Sequence, residues 1–147
     1  VGNLNSMFLC SQIFGKRMLK QEKSSIINIA STYGIVGPDQ KIYINRNSKQ
    51  TFYKNPAYPT SKGAVISFTK YLAAYWGKRG VRVNSISPGG IENKQSKEFI
   101  KNYSSKTLLG RMANTSDIVG VIKFLCSDES SYITGSNIVV DGGWTTI

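Results

Sequence analysis

The sequence predicts an α/β fold built on a parallel sheet. Short apolar runs rich in β-branched residues, typical of buried strands, occur at residues 25–30, 81–86 and 137–140. Before and between them, longer segments repeat their apolar residues every three or four positions, as amphipathic helices do. Strands that alternate with helices in this way pair in parallel through right-handed crossovers.

The first half of the chain provides a helix, a strand and a long loop. A helix is predicted over residues 3–21, and the strand at 25–30 leads into a turn-prone Ser-Thr-Tyr-Gly sequence at 31–34. The polar stretch 39–55 is bounded by prolines on both sides, which predicts a loop or lid.

The second half continues the alternation. A helix with one apolar face is predicted over residues 58–78, and the strand at 81–86 is stopped by Pro-Gly-Gly. A polar, lysine-rich segment, 92–106, comes next. A helix capped by Thr115 or Ser116 then leads to the last strand.

The composition indicates one domain. The chain has 147 residues, 40% hydrophobic and 18% charged, which suits a single core over residues 1–147. No apolar run approaches the ~20 residues that cross a bilayer, and the N-terminus lacks the features of a secretory leader. Cys10 and Cys126 lie in apolar surroundings, which predicts buried thiols in a reducing compartment. With no histidine and no cysteine cluster, no metal site is expected. We expect a cytoplasmic protein without a membrane partner.

The net charge of +11 raises the alternative of a nucleic-acid partner. The lysines are scattered along the chain, however, and they form no long block of like charge. Scattered charge is usually solvated surface, so no nucleic-acid partner is expected.

Tyr58 and Lys62 are candidates for proton-transfer chemistry. Four residues apart on the predicted helix, they project from the same face. A phenol, with an ordinary pKa of ~10, is a poor general base at neutral pH. A lysine cation ~4 Å away would favour the phenolate by roughly 4 kcal/mol, or about three pKa units. Because this spacing also arises by chance, a surface lysine beside a half-buried tyrosine is the alternative for the pair taken alone.

Other short motifs accompany this pair in a definite order. They are Asn3-Leu4 at a helix start, Asn28-Ile-Ala-Ser-Thr-Tyr-Gly34, Tyr58-x-x-x-Lys62, Arg82-Val-Asn-Ser-Ile-Ser-Pro-Gly-Gly-Ile91, Leu109-Gly-Arg-Met112 and Val140-Asp-Gly-Gly143. In this order the chain resembles the short-chain dehydrogenase/reductase family over essentially its whole length. Each motif is weak alone, but the series is specific.

The resemblance implies an NAD(P)-dependent oxidoreductase that interconverts an alcohol and a carbonyl. Tyr58 would be the general acid/base, and Lys62 would lower its pKa and bind the nicotinamide ribose. Ser31 would hold the substrate oxygen, and Asn3 would anchor a water that links Lys62 to solvent. A homo-oligomer is also implied, and the two longest predicted helices carry large apolar residues on more than one side.

The cofactor implied by the resemblance is NAD or NADP. Backbone groups around Pro88, Gly89 and Ile91 would meet its nicotinamide carboxamide, and Tyr58 and Lys62 would also contact it. After Ile91 the family often has a threonine, whereas this chain has Glu92.

One expected unit does not occur in these residues. A doubly wound nucleotide-binding sheet carries a glycine-rich turn between its first strand and a helix that receives the pyrophosphate. We therefore expect the C-terminal half of a Rossmann-like sheet, without the N-terminal half that binds the dinucleotide phosphates, and inactive by itself. The alternative is a truncated, non-catalytic remnant that serves only in folding or assembly.

The substrate is expected to be a small polar molecule, anionic or sugar-like. Ser31 and Tyr58 are about twice as far apart as is usual in the family, so residues 39–55 resemble an insertion over the substrate mouth. This segment and 92–106 are rich in basic residues, and a cleft of one charge sign concentrates oppositely charged ligands. The Pro-Gly-Gly-Ile-Glu-Asn and Leu-Gly-Arg-Met stretches also resemble relatives in bacterial surface-sugar pathways. Tyr43, Phe52 and Tyr53 could instead make the pocket apolar.

Overall fold

The computed structural model describes residues 2–50 and 52–147, apart from the side chain of Asn3. Four α-helices and three β-strands alternate along these residues, with short 3-10 turns between some of them. In chain order they are α1 (Gly2–Met18), β1 (Ser24–Ile29), α2 (Ala57–Trp76), β2 (Val81–Pro88), α3 (Lys97–Ser104), α4 (Thr115–Cys126) and β3 (Asn137–Val140).

The three strands form one parallel sheet in the order β1-β2-β3. Ile26 of β1 lies opposite Val83, and Ile29 lies opposite Ile86. On the other side of β2, Ile86 lies opposite Ile138. Both pairings are parallel, so the predicted α/β class and parallel sheet are confirmed.

Helices cover both faces of the sheet because alternate strand residues point to opposite sides. On one face, Val81 and Val83 pack with Leu72 and Trp76 of α2. On the other face, Ile86 packs with apolar residues of α4. The buried Asn28 side chain donates a 2.9 Å hydrogen bond to the Thr69 hydroxyl, so the polar group that β1 buries against α2 is satisfied.

The structure corrects several local expectations. The polar segment 92–106 contains the helix α3, which begins after Ser96, whose side chain accepts a hydrogen bond from the Phe99 backbone N–H. The N-cap of α4 is Asn114, one residue before the expected cap. Cys10 and Cys126 are exposed, so the prediction of buried thiols is wrong. In the described residues, no helix is both long enough and apolar enough to span a membrane.

Candidate active site

A cavity of about 150 Å3 opens where β1 and β2 end. Because these strands are parallel neighbours, the segments that follow them meet at one edge of the sheet, where α/β folds bind ligands. Ser31, Tyr58, Gly89 and Ile91 line this cavity. Four residues singled out from the sequence, from three separate parts of the chain, therefore face one space.

Ser31 begins the turn that leaves β1. Its hydroxyl oxygen accepts a 3.2 Å hydrogen bond from the backbone N–H of Tyr33. The Ala30 backbone N–H donates to the Ile86 carbonyl oxygen at 2.8 Å, which holds the start of the turn to β2. The serine is 7% exposed, so it reaches the cavity from a rigid, largely buried turn.

Tyr58 and Lys62 lie in the first turns of α2. The ammonium of Lys62 is 5.8 Å from the centroid of the Tyr58 ring, as their spacing on one helix face predicts. The same ammonium donates a 2.8 Å hydrogen bond to the Ile29 carbonyl oxygen at the end of β1. Burial lowers the pKa of Lys62, because a half-buried ammonium loses hydration. The pair is therefore attached to the edge of the sheet that carries Ser31.

The loop after β2 presents little bulk to the cavity. Gly89 and Gly90 both line it, and a Cβ on Gly90 would lie 2.7 Å from the Tyr103 ring. The Gly89 backbone N–H donates to the Val140 carbonyl oxygen at 2.9 Å, so this group is already used within the sheet. Pro88 is the last residue of β2. Of the backbone groups expected to meet a carboxamide, the N–H of Gly89 is therefore the one least suited to do so.

These residues fit the nicotinamide end of a dinucleotide. Gly89, Gly90 and Ile91 form a wall of little side-chain bulk in the cavity that Tyr58 also lines. Lys62, on the same helix, is the one lysine whose ammonium reaches the carboxyl end of β1 in the described residues. The pyrophosphate has no corresponding place here, because the sequence contains no strand–glycine turn–helix unit. Asn3 was expected to act through its side chain, which lies outside the described residues.

Two buried tyrosines that the sequence did not single out also line the cavity. Burial raises the pKa of Tyr33, and its neighbour Tyr43 contributes in the same direction. Burial likewise raises the pKa of Tyr103, whose hydroxyl accepts a hydrogen bond from the Gly90 backbone N–H. The Tyr103 ring stacks on Trp144 with centroids 4.3 Å apart. Both phenols thus stay protonated, and Tyr103 supports the loop that bears Gly90.

The segment 39–55 reaches the same cavity through Tyr43 and Lys54. It packs against α3, where the Tyr43 and Phe99 rings stack with centroids 5.5 Å apart. The side-chain amide of Asn102 also donates a 3.0 Å hydrogen bond to the Ile44 carbonyl oxygen. The two basic segments therefore form one wall of the site.

Two of the eight basic residues in these segments form ion pairs with acidic residues of the opposite segment. Arg46 of the first segment pairs with Glu98 of the second at 2.6 Å. Lys106 of the second pairs with Asp39 of the first at 3.0 Å. The hydrogen bond from the Lys106 ammonium lowers the pKa of the Asp39 carboxyl group. Arg46 and Lys106 therefore contribute less to a basic cleft than the sequence suggested, and the lysines outside these ion pairs are the better candidates for binding an anion.

Parallel strands covered by helices on both faces, with a cavity at the strand ends, define the chain as part of a doubly wound α/β fold, a class that binds its ligands at that edge of the sheet. The family described as Enoyl-(Acyl carrier protein) reductase matches residues 2–145. The chain belongs to the short-chain dehydrogenase/reductase family, whose named members here are oxidoreductases.

Three relatives illustrate the similarity. Galactitol 2-dehydrogenase (L-tagatose-forming) of Cereibacter sphaeroides is 34% identical over 149 residues, which cover 97% of this chain and 54% of that protein. A short-chain dehydrogenase from Leptospira borgpetersenii with bound NAD+ is 44% identical, with a TM-score of 0.87, and 97% of this chain matches 53% of it. A 4-hydroxyisoleucine dehydrogenase complexed with NADH and succinate is 36% identical, with a TM-score of 0.82, and 99% of this chain matches 56% of it.

The family cofactor is NAD or NADP, since other solved relatives carry NADP. This chain spans about half the length of the relatives that it matches. The expected match to the C-terminal half of a doubly wound sheet agrees with that coverage.

Proposed function

We propose that the complete protein that contains this chain oxidises an alcohol, or reduces a carbonyl, by hydride transfer with NAD or NADP. The observation that carries this proposal is the meeting of Ser31, Tyr58 and the Gly89–Ile91 loop around one cavity, with Lys62 beside Tyr58. The nicotinamide supplies or accepts the hydride. The residues of this chain orient the reacting oxygen and move its proton.

Tyr58 is the proposed general acid/base. In the oxidation direction its phenolic oxygen takes the proton of the substrate hydroxyl, and in reduction it returns a proton to the carbonyl oxygen. Lys62 is proposed to assist this proton transfer, because its ammonium lies 5.8 Å from the centroid of the Tyr58 ring on the same face of α2. The same ammonium is proposed to contact the nicotinamide ribose when the cofactor is bound.

Ser31 is proposed to hold the substrate oxygen. Its own oxygen already accepts the Tyr33 N–H, so the serine hydroxyl hydrogen remains to donate into the cavity. Asn3 is proposed to anchor a water that links Lys62 to solvent, a role that rests on the family resemblance alone. Pro88, Gly89 and Ile91 are proposed to form the wall against the nicotinamide, chiefly by shape.

The proposed substrate is a small polar molecule of the sugar-derived kind. Support comes from the galactitol dehydrogenase relative and from the size of the cavity on this chain, about 150 Å3, which is smaller than sites for drug-sized ligands. The test is a hydride-transfer assay of the complete enzyme with both cofactors against a panel of polyols and hydroxy acids. Formation of NADH or NADPH with at least one class is expected. If the enzyme oxidises no alcohol in the panel and reduces none of the matching ketones, the proposal is wrong.

We further propose that the complete protein assembles as a homo-oligomer through α1 and α2. Phe14 of α1 is 54% exposed, and Tyr71 and Tyr75 of α2 are each 61% exposed. The rings of Phe68, Tyr71 and Tyr75 stack in sequence along one side of α2. A continuous aromatic surface of this kind favours contact with another subunit. Trp76, in contrast, is buried against Gly15, so it belongs to the core of the subunit.

A further inference from the structure

Lys54 is the one charged side chain among the described residues that line the cavity. Its ammonium lies 4.8 Å from the centroid of the Tyr58 ring and 5.6 Å from that of Phe52. The rings of Tyr33 and Tyr43 are each 5.9 Å away. Four aromatic rings therefore surround a cation that sits next to the proposed catalytic tyrosine.

The position of Lys54 is held by side-chain hydrogen bonds as well as by the loop itself. Gln40 accepts from the Lys54 backbone N–H at 2.9 Å and donates to the Lys54 carbonyl oxygen at 3.4 Å. Gln50 in turn donates to the Gln40 carbonyl oxygen at 2.9 Å. A cation whose backbone is ordered before a ligand arrives loses less conformational freedom on binding it.

Among the described residues, Lys54 forms no ion pair with a carboxylate. The carboxylates of Asp39 and Glu98, which lie in the two basic segments, pair with Lys106 and Arg46 instead. Aromatic faces attract a cation but do not replace an anionic acceptor for its three N–H donors. The rings also exclude water on their side, which strengthens any charge interaction made on the open side.

We propose that Lys54 binds an anionic group of the substrate, a carboxylate or a phosphate, while Tyr58 and Ser31 act on its alcohol or carbonyl oxygen. This inference rests on the proposed oxidoreductase function and adds the substrate class. Both the lysine and the tyrosine line one small cavity, so the anionic group lies within a few bonds of the reacting carbon. The general basicity of the two surface segments plays no part in this recognition.

The test is calorimetric binding to the complete enzyme saturated with NAD+ or with NADP+, whichever of the two it binds more tightly. The probes are succinate, its neutral diamide succinamide, and inorganic phosphate, and the first and last separate a carboxylate from a phosphate site. The wild-type enzyme should bind succinate or phosphate, and Lys54→Met should weaken that binding by about tenfold or more, the usual effect of losing a charge-assisted hydrogen bond. Lys54→Arg should retain most of it.

Lys49→Met is the matched control, because Lys49 is an exposed lysine of the same segment and its loss changes the net charge equally. It should leave both affinities within about twofold, as expected for a screened surface charge. If Lys54→Met and Lys49→Met weakened anion binding equally, the general positive charge of the segment would be responsible and the proposal would be wrong. Failure of the wild-type enzyme to bind either anion would also overturn it.

A pH profile of turnover separates this role from a purely structural one. If Lys54 served only to support the Tyr58 phenolate, Lys54→Met would shift the profile equally for a neutral polyol and for a hydroxy acid, and that outcome would reject anion binding. If Lys54 binds the anionic group, Lys54→Met should lower kcat/KM for the hydroxy acid much more than for the neutral polyol. Failure of hydride transfer with every substrate would instead reject the oxidoreductase function, since the binding assay does not need turnover.

Discussion

Gly34 lies directly against the backbone of Lys62. A Cβ on Gly34 would come 2.7 Å from the Lys62 carbonyl carbon and 2.8 Å from its oxygen, distances that real Cβ atoms essentially never show. Only glycine allows the turn after β1 to approach α2 this closely. Since this turn carries Ser31 and the helix carries Tyr58, the contact sets the separation of the two proposed catalytic groups.

Replacement of Gly34 by alanine should therefore damage both stability and turnover. Over-packing against backbone costs about 1–3 kcal/mol of unfolding free energy, and a displacement of ~1 Å between catalytic groups can cost about 100-fold in rate. Denaturant unfolding and kcat of the complete enzyme measure the two effects. Gly37→Ala is the control, because a Cβ there meets nothing within 4 Å. A Gly34→Ala enzyme with wild-type kcat would contradict this account.

Replacement of Tyr58 by phenylalanine should reduce turnover by at least ~100-fold, the lower range for a general acid/base. The ring and its packing remain, so the fold should be unchanged by circular dichroism. Tyr53→Phe removes a hydroxyl from a tyrosine that is 69% exposed and should retain full activity. Near-normal turnover of Tyr58→Phe would remove Tyr58 from the mechanism.

A polypeptide of these 147 residues alone should bind NAD and NADP weakly, with a dissociation constant well above ~1 μM, because its sequence contains no strand–glycine turn–helix unit to receive the pyrophosphate. Calorimetric titration with each cofactor measures this. The complete enzyme, titrated under the same conditions, is the positive control. Micromolar binding by the short polypeptide would mean that the residues around Gly89 and Lys62 hold the cofactor without that unit.

Introducing charge on the exposed aromatic side of α2 should dissociate the proposed oligomer. Tyr75→Lys places an ammonium within an apolar interface, where an unpaired charge is strongly unfavourable. Sedimentation of the complete enzyme should show a smaller species. Tyr132→Lys, at a side chain that is fully exposed, is the matched control. A wild-type enzyme that sediments only as a monomer would refute the assembly itself.

The sequence by itself determined most of the regular elements and which of them carry the candidate site residues. The last strand has the predicted bounds, Asn137–Val140, because a short β-branched run between turns has few alternatives. Tyr58 and Lys62 share a helix face because their spacing is close to one helical turn. α3 escaped prediction, since its eight residues are mostly polar and its apolar contacts come from a distant segment.

Only the tertiary structure decided which of the many basic and aromatic side chains belong to the site. Lys54 resembles Lys49 in sequence, yet only Lys54 stands within a ring of aromatic groups at the cavity. Arg46 is not a candidate for binding the substrate anion, because it pairs with Glu98, 52 positions away in the sequence. The periodicity of a sequence indicates which way a side chain points from its own helix or strand. Ion pairs, ring contacts and close backbone approaches instead depend on how segments that are distant in sequence pack together, and no local pattern contains that information.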